Sequence, residues 1–341
     1  MFFSIIIPLY NRPQEIDELL ESLTHQTYSS FEVIVVEDGS QIDAREIVER
    51  YQDRLDLTYV YKINEGQGVA RNLGFSKAKG DYFIAFDSDC VIPPSYLQAV
   101  FTYLSQHPAD GFGGPDAAHP SFTPIQKAIN YSMTSFLTTG GIRGKQIHIG
   151  TYHLRGFNMG ISRKAFEQTG GFRWTNFSED MELSLRMQHM GLTVHLIPEA
   201  YVYHKRRSTF SQFFKQTHQF GKGRIRIFTE LGKDLKLVHF FPAAFTLYFI
   251  LVILIGILFW IGTQQNQFNA FEATLVTGVF GMPMLIYLAA IWIDASYQNR
   301  SPYIGVLAIY STLLQHLAYG SGFIIDFFRK VVLSFRRNSN K

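Results

Sequence analysis

Residues 3–8 form a short, continuously apolar run that stops at Asn11-Arg12-Pro13. That is the pattern of a strand buried on both faces. No basic residue precedes it, so it reads as a first strand rather than a secretory signal. Residues 14–26 then switch to helical spacing, with Ile16, Leu19, Leu20 and Leu23 on one face. A second β-rich run, 31–36, is stopped by Asp38-Gly39-Ser40. The pattern predicts a helix over 44–51, a strand over 57–61, a helix over 68–78 and a strand over 82–86. Strand and helix alternating in this way predict βαβ units, an α/β fold and a mostly parallel sheet. Ligands of such sheets bind beyond the carboxyl ends of the strands. The polar residues at those ends are Asn11, Glu37 to Ser40, Asn64 to Gly66, and Asp87-Ser88-Asp89.

Past residue 236 the pattern changes. Residues 237–262, 273–293 and 303–325 each lack Asp, Glu, Lys and Arg. Each is long enough to cross a hydrocarbon core, which takes ~20 residues. The third run is the weakest, because Gln315 and His316 lie near its centre.

Charge sharpens the division. The chain has 341 residues, 47% hydrophobic and only 17% charged. Residues 1–200 carry 16 basic and 23 acidic side chains, a net −7, whereas residues 201–236 carry 9 and 2, a net +7. An acidic first half argues against a nucleic-acid partner, and none is expected. A single cysteine, Cys90, excludes an intramolecular disulfide framework and a multi-cysteine zinc site. The expected organisation is a catalytic domain over 1–236 with a basic interfacial segment at 204–236, a membrane region over 237–328 with two to three hydrophobic segments, and a basic tail over 329–341. The belt Lys222, Arg224, Arg226, Lys233 and Lys236 places the start of the first span in the cytoplasm. This implies an inner (cytoplasmic) membrane protein whose catalytic domain faces the cytoplasm. A third full crossing would put Arg329, Lys330, Arg336 and Arg337 outside, against the positive-inside rule. Segment 303–325 is therefore re-entrant or interfacial, or the rule fails. Phe210, Phe213, Phe214 and Thr217 share one helical face. That face suits either an interfacial helix on anionic lipid or a helix packed on the sheet.

The candidate chemistry lies at the strand ends. Asp87 and Asp89 follow a strand, where paired carboxylates can hold a hard divalent cation that also bridges a diphosphate. The alternative is an ordinary acidic turn. Asp38 can accept a hydrogen bond from a base N–H or a ribose hydroxyl, or simply end its strand in an Asp-Gly turn. Asn64 to Gly68, with Arg71, opens a helix whose first N–H groups favour anions. Glu179 and Asp180 start a helix, as a general base for an acceptor hydroxyl or as partners of the helix dipole. Residues 155–160 and 170–172 are glycine-rich and could shape an acceptor pocket or be turns.

The ordered set 4–11, 35–40, 64–74, 87–89, 156–172 and 179–186 resembles family 2 glycosyltransferases of the GT-A fold, over roughly residues 2–230. The resemblance implies a Rossmann-like mixed, mostly parallel sheet flanked by helices, and an inverting, Mg²⁺- or Mn²⁺-assisted enzyme. It implies that Asp38 binds the nucleotide base, that Asp87 and Asp89 form the D-x-D site, and that Asp180 is the catalytic base. Pro8, Asn11, Asn64 and Arg71 join the nucleotide-sugar site, and Gly156, Asn158 and Glu179 the acceptor region. His204 follows a strand over 199–203 and is placed like the late histidine of the family's metal shell, or is a surface residue of the basic segment. Residues 216–220 resemble a degraded Q-x-x-R-W motif, with Gln219 for Arg and Phe220 for Trp. That favours transfer of one sugar over processive synthesis. The partners implied are a nucleotide-sugar donor, a saccharide or lipid-linked acceptor, and a membrane. Two rivals are a processive polysaccharide synthase and a membrane-anchored sugar-nucleotide-binding protein without activity.

Overall fold

The computed structural model describes residues 1–140, 152–232 and 235–332. Lys233 of the basic belt, and Arg336 and Arg337 of the tail, lie outside them. Two compact units divide the chain, one of residues 1–121 and 134–205, the other of residues 122–133 and the described residues after 205.

Among the described residues the first unit holds ten strands: β1 (Phe3–Leu9), β2 (Phe31–Asp38), β3 (Leu57–Lys62), β4 (Tyr82–Phe86), β5 (Cys90–Val91), β6 (Gly111–Gly113), β7 (Asp116–Ala117), β8 (Asn158–Ser162), β9 (Val194–Leu196) and β10 (Val202–His204). Seven of them form one sheet in the order β3-β2-β1-β4-β8-β6-β9. The first four are mutually parallel, and β8 runs antiparallel to both β4 and β6. The sheet is mixed because β8 enters beside β4 without a parallel crossover. Successive residues of β1 feed opposite faces, with Ile5 and Ile7 in one core and Ile6 in the other. Helix Pro13–Thr24 covers the first face through Ile16, Leu19, Leu20 and Leu23. Helices Gln67–Lys77 and Glu179–His189 cover the second through Ala70, Phe75, Leu183 and Met187. Both faces are thus dry, which is why β1 and β2 read as continuous apolar runs.

The chain travels outward from β1 through β2 to β3, then returns to the other side of β1 as β4. This reversal opens a crevice at the carboxyl ends of β1 and β4, the topological switch point where ligands of open α/β sheets bind. A small second sheet, β5-β10-β7, sits past the end of β4. Its register pairs His204 with Cys90.

The second unit is helical. Helices Phe241–Gln264 and Ala270–Asn299 lie in the segments expected to be spans, as does Pro302–Asp326. Among the described residues two helical stretches, Leu237–Gln264 and Ala270–Asn299, are long and apolar enough to cross a membrane. Only 11% of the apolar window of each is buried, so they are not core helices of the unit. Pro302–Asp326 is the core helix instead. It buries Ser311, Thr312, Gln315 and His316, and it packs against Phe210–Leu231 and both apolar helices. Gly322 permits the approach, since a Cβ there would meet the carbonyl of His218 at 2.2 Å.

The division falls after residue 205 rather than after 236, because helix Phe210–Leu231 packs on Pro302–Asp326. Phe213 and Thr217 are buried, and Phe210 packs on Tyr310 with ring centroids 4.7 Å apart. Phe210, Phe213 and Thr217 are therefore engaged by helices of their own unit. Phe214 is the exposed member of the four, at 39%.

Candidate active site

The crevice between β1 and β4 is closed by an ion pair. Arg12, just past β1, donates from Nη1 to Oδ2 of Asp89, just past β4. The other oxygen of Asp89, Oδ1, lies 3.2 Å from Nε2 of His204. The β5–β10 register brings the histidine there, and its ring stacks on Phe157 with centroids 4.6 Å apart. Asp89 is buried, which works against its charge, but His204 and Arg12 outweigh that and hold its carboxyl well below the usual carboxylate range. Asp89, Cys90 and His204 together bring their ligand atoms within 4.8 Å of one another. Burial pushes the Cys90 thiol well up, and Sγ faces the carbonyl of Phe157 at 3.5 Å, so Cys90 is a poor ligand for a hard cation. Asp89 and His204 do fit one. Adjacent ligands of an octahedral ion with bonds of ~2.1 Å lie about 3 Å apart, close to their separation.

A second hub is Arg71, fully buried on helix Gln67–Lys77. Its Nη2 donates to Asp87 Oδ1 and its Nη1 to Glu179 Oε1, both at 2.7 Å. Burial opposes the charge, but Asp87 and then Glu179 raise the guanidinium's pKa above its ordinary value. Gly156 makes room for this group, because a Cβ there would lie 2.6 Å from Nη2. Asp87 is only partly covered. One guanidinium thus ties the end of β4 to the start of helix Glu179–His189.

The two carboxylates at that helix start are unlike. Glu179 is buried and accepts from Arg71 and from Gln67 Nε2, the latter also at 2.7 Å. Burial, with Asp180 adding to it and Arg71 opposing, pushes its carboxyl up from 4.5 to about 7. Asp180 is half-exposed. Its Oδ2 accepts from the N–H of Gly156 at 2.9 Å and its Oδ1 from its neighbour Met181 at 2.8 Å. About two of the four lone-pair positions of a carboxylate stay open.

The raised Glu179 value has a consequence for stability. The folded chain binds this proton more tightly than the unfolded chain, so the group's contribution is full below about pH 4.5 and is lost as pH rises to about 7. We expect the thermal-midpoint advantage of wild type over Glu179→Gln to shrink across that window and stay constant above it. A flat difference between the two melting curves from pH 4.5 to pH 7 contradicts this.

The other sequence-derived residues occupy the frame. Asp38 accepts from Lys62 Nζ at 2.7 Å, from the N–H of Glu65 at 3.0 Å and from that of Gly66 at 2.9 Å. It fastens the Asn64–Gly66 turn, with about one lone pair left over. Asn64 Nδ2 donates to the carbonyl of Asp38 at 2.8 Å. Asn11, at φ 52°, accepts from the N–H of Gln41 at 2.8 Å, which links the ends of β1 and β2. Pro8 pairs with Val36, beyond the last pair of β1 with β4. Asn158 is completely buried, accepting from Tyr96 Oη at 2.6 Å and donating to the carbonyl of Ala200 at 2.8 Å. Asn158 and Glu179 are therefore both buried and held by other parts of the protein, Asn158 through both polar atoms and Glu179 through Oε1. Arg12 is the residue that sequence reasoning missed. It appeared only as part of a strand stop, and its one signal was its position after a strand at the switch point.

Residues 4–170 match the family described as Glycosyl transferase family 2. An uncharacterized glycosyltransferase of Haemophilus influenzae is 31% identical over 220 residues, 61% of this chain and 70% of that protein. A second, from Rickettsia bellii, is 36% identical over 104 residues, 30% of this chain, and the match spans only 15% of that relative's length. Among solved structures, a mannosyltransferase from Pyrobaculum calidifontis in complex with GDP-Man and Mn²⁺ superimposes with a TM-score of 0.57 at 16% identity. The superposition covers 96% of this chain and 87% of that one. With a shared GT-A architecture, a profile match that runs through the D-x-D strand end, and a relative matched over most of its length, the chain belongs to glycosyltransferase family 2.

Proposed function

We propose that this glycosyltransferase is membrane-bound and inverting, and moves one sugar from a nucleotide-sugar to a saccharide or lipid-linked acceptor hydroxyl. The observation that carries the reading is Arg71, which holds Asp87 of the D-x-D end and Glu179, next to Asp180, on one guanidinium. Donor and acceptor chemistry are thereby set on opposite sides of a single fixed cation. Asp180 takes the proton of the acceptor hydroxyl. The acceptor oxygen bonds to the anomeric carbon as the bond to the diphosphate oxygen breaks, and that electron pair leaves with the nucleoside diphosphate. One displacement inverts the anomeric configuration. A divalent cation held by Asp89 and His204, Mg²⁺ or Mn²⁺, would neutralise charge on the leaving diphosphate. Asp38 and the Asn64–Gly66 turn would receive the nucleoside.

Two spanning helices return the chain to the side from which it left. Arg300, Arg329 and Lys330 then share the cytoplasmic side with Lys222, Arg224 and Arg226, as the positive-inside rule asks. This supports an inner-membrane protein whose catalytic unit faces the cytoplasm.

The test is to incubate detergent-purified full-length protein with UDP-, GDP- and dTDP-sugars, with and without Mn²⁺, and to measure nucleotide release and the anomeric coupling constant of the product. Retention of the donor's configuration refutes the single displacement. Membrane attachment is checked by extraction, with the protein expected in the detergent fraction only. Recovery in the supernatant after carbonate or high salt refutes it.

A further inference from the structure

We propose that Phe177 is a platform for a sugar ring of the acceptor, so that the acceptor presents a pyranoside face to the site rather than an open-chain polyol or a lipid chain. The inference rests on the assignment of Asp180 as base. Phe177 lies three residues before Asp180 and is 59% exposed. Its φ is 53°, and that of Ser178 is 65°. Left-handed backbone is unfavourable for non-glycine residues, most of all one with a bulky side chain, and here Phe177 and Ser178 adopt it in succession.

The surroundings enforce the conformation from both sides. Just before it, the carbonyl of Thr175 accepts from the N–H of Gly68 at 2.9 Å. Just after it, Glu179 is held by Gln67 and Arg71 at 2.7 Å. Both anchors lie on helix Gln67–Lys77, so the chain must reverse within residues 176–178 and leaves the Phe177 ring outside. The turn is not shaped to start the following helix well, since Ser178 makes no side-chain cap bond. Strain held by over-determined surroundings and clustered at a reaction centre points to a role in that centre. A large, flat, apolar ring left in water gains from being covered by a surface of matching shape. The C–H face of a pyranose offers that surface while its rim hydroxyls stay free for Asp180. A polyol has no such face, and a lipid chain would be served as well by a branched aliphatic side chain.

The experiment uses the full-length protein in detergent with Mn²⁺ and the donor that wild type turns over. Methyl pyranosides serve as acceptor probes and ribitol as the open-chain comparison. Phe177→Ala should raise the KM for the accepted pyranoside about tenfold, which corresponds to ~1.4 kcal/mol. Its kcat and donor KM should stay near wild type, with Phe177→Tyr restoring the acceptor KM and Phe177→Leu failing to. Phe177→Gly should lose acceptor affinity with a thermal midpoint no lower than wild type, because glycine tolerates the left-handed φ. An unchanged acceptor KM in Phe177→Ala overturns the proposal. So does Leu restoring it as well as Tyr, a parallel rise in donor KM, or transfer to ribitol without transfer to any pyranoside. Failure of the base assignment shows separately, as near-normal turnover of Asp180→Asn.

Discussion

Asp180→Asn is expected to lower kcat by about 10²–10⁴-fold, the usual contribution of a general base, while donor affinity stays near wild type. The expectation follows from the division of labour at the helix start. Glu179 is buried and engaged by Arg71 and Gln67, so it is not available to a substrate hydroxyl. Asp180 is half-exposed and is aimed by two backbone N–H groups, which fix the carboxylate without enclosing it. Asn keeps the shape and one of the two hydrogen bonds, and loses the basicity. The donor-side groups Asp38, Asp87 and Asp89 are untouched. The rival view makes Asp180 an anchor for the Gly156 loop and the helix start. It predicts a lower thermal midpoint and near-normal turnover. Steady-state kinetics beside a melting curve separate the two, and a kcat within about threefold of wild type, far short of a base's usual contribution, removes Asp180 from the reaction.

The sheet was legible because both of its faces are dry. Residues 3–8, 31–36 and 82–86 lie inside β1, β2 and β4 with ends that differ by at most two residues. Burial on both faces leaves no polar position to blur the signal. The candidates Asp38, Asp87 and Asp89 follow from the rule that ligands of such sheets bind at strand ends, and they do lie at or just past the ends of β2 and β4. What was not legible is how the ends meet. The Asp89–His204 contact depends on pairing between β5 and β10, strands of two and three residues. Runs that short carry no periodicity, so the sequence left His204 equally readable as a surface residue. The Arg12–Asp89 and Arg71–Glu179 pairs join residues 77 and 108 positions apart, and no local pattern marks them. The amphipathic stripe at Phe210, Phe213 and Thr217 signals a buried face but not its partner. The partner is a helix nearly a hundred residues later, whose own polar centre at Gln315 and His316 is buried against its neighbours.

Asp89→Ala is expected to weaken Mn²⁺-dependent UDP or GDP binding by at least about 10²-fold, ~2.7 kcal/mol, and to leave weak, Mn²⁺-independent binding in place. Asp89 offers one oxygen beside His204 and the other to Arg12, so it touches both groups at the crevice. Without it, a cation would lose the carboxylate beside the imidazole, and Mg²⁺ and Mn²⁺ depend on oxygen ligands of that kind. The fold should survive. Arg12 is partly exposed and can turn to water, and His204 keeps its stack on Phe157 and its place in β10. A purely structural Asp89 would behave in the opposite way. Its loss would lower the thermal midpoint, as breaking a largely buried ion pair does, while the ratio of nucleotide affinities with and without Mn²⁺ stayed at its wild-type value. Titration calorimetry of nucleotide into wild type and variant, each with Mn²⁺ and with a chelator, gives both ratios directly. An unchanged ratio moves the metal assignment away from Asp89, and with it the part of the catalytic proposal that depends on a cation at the carboxyl end of β4.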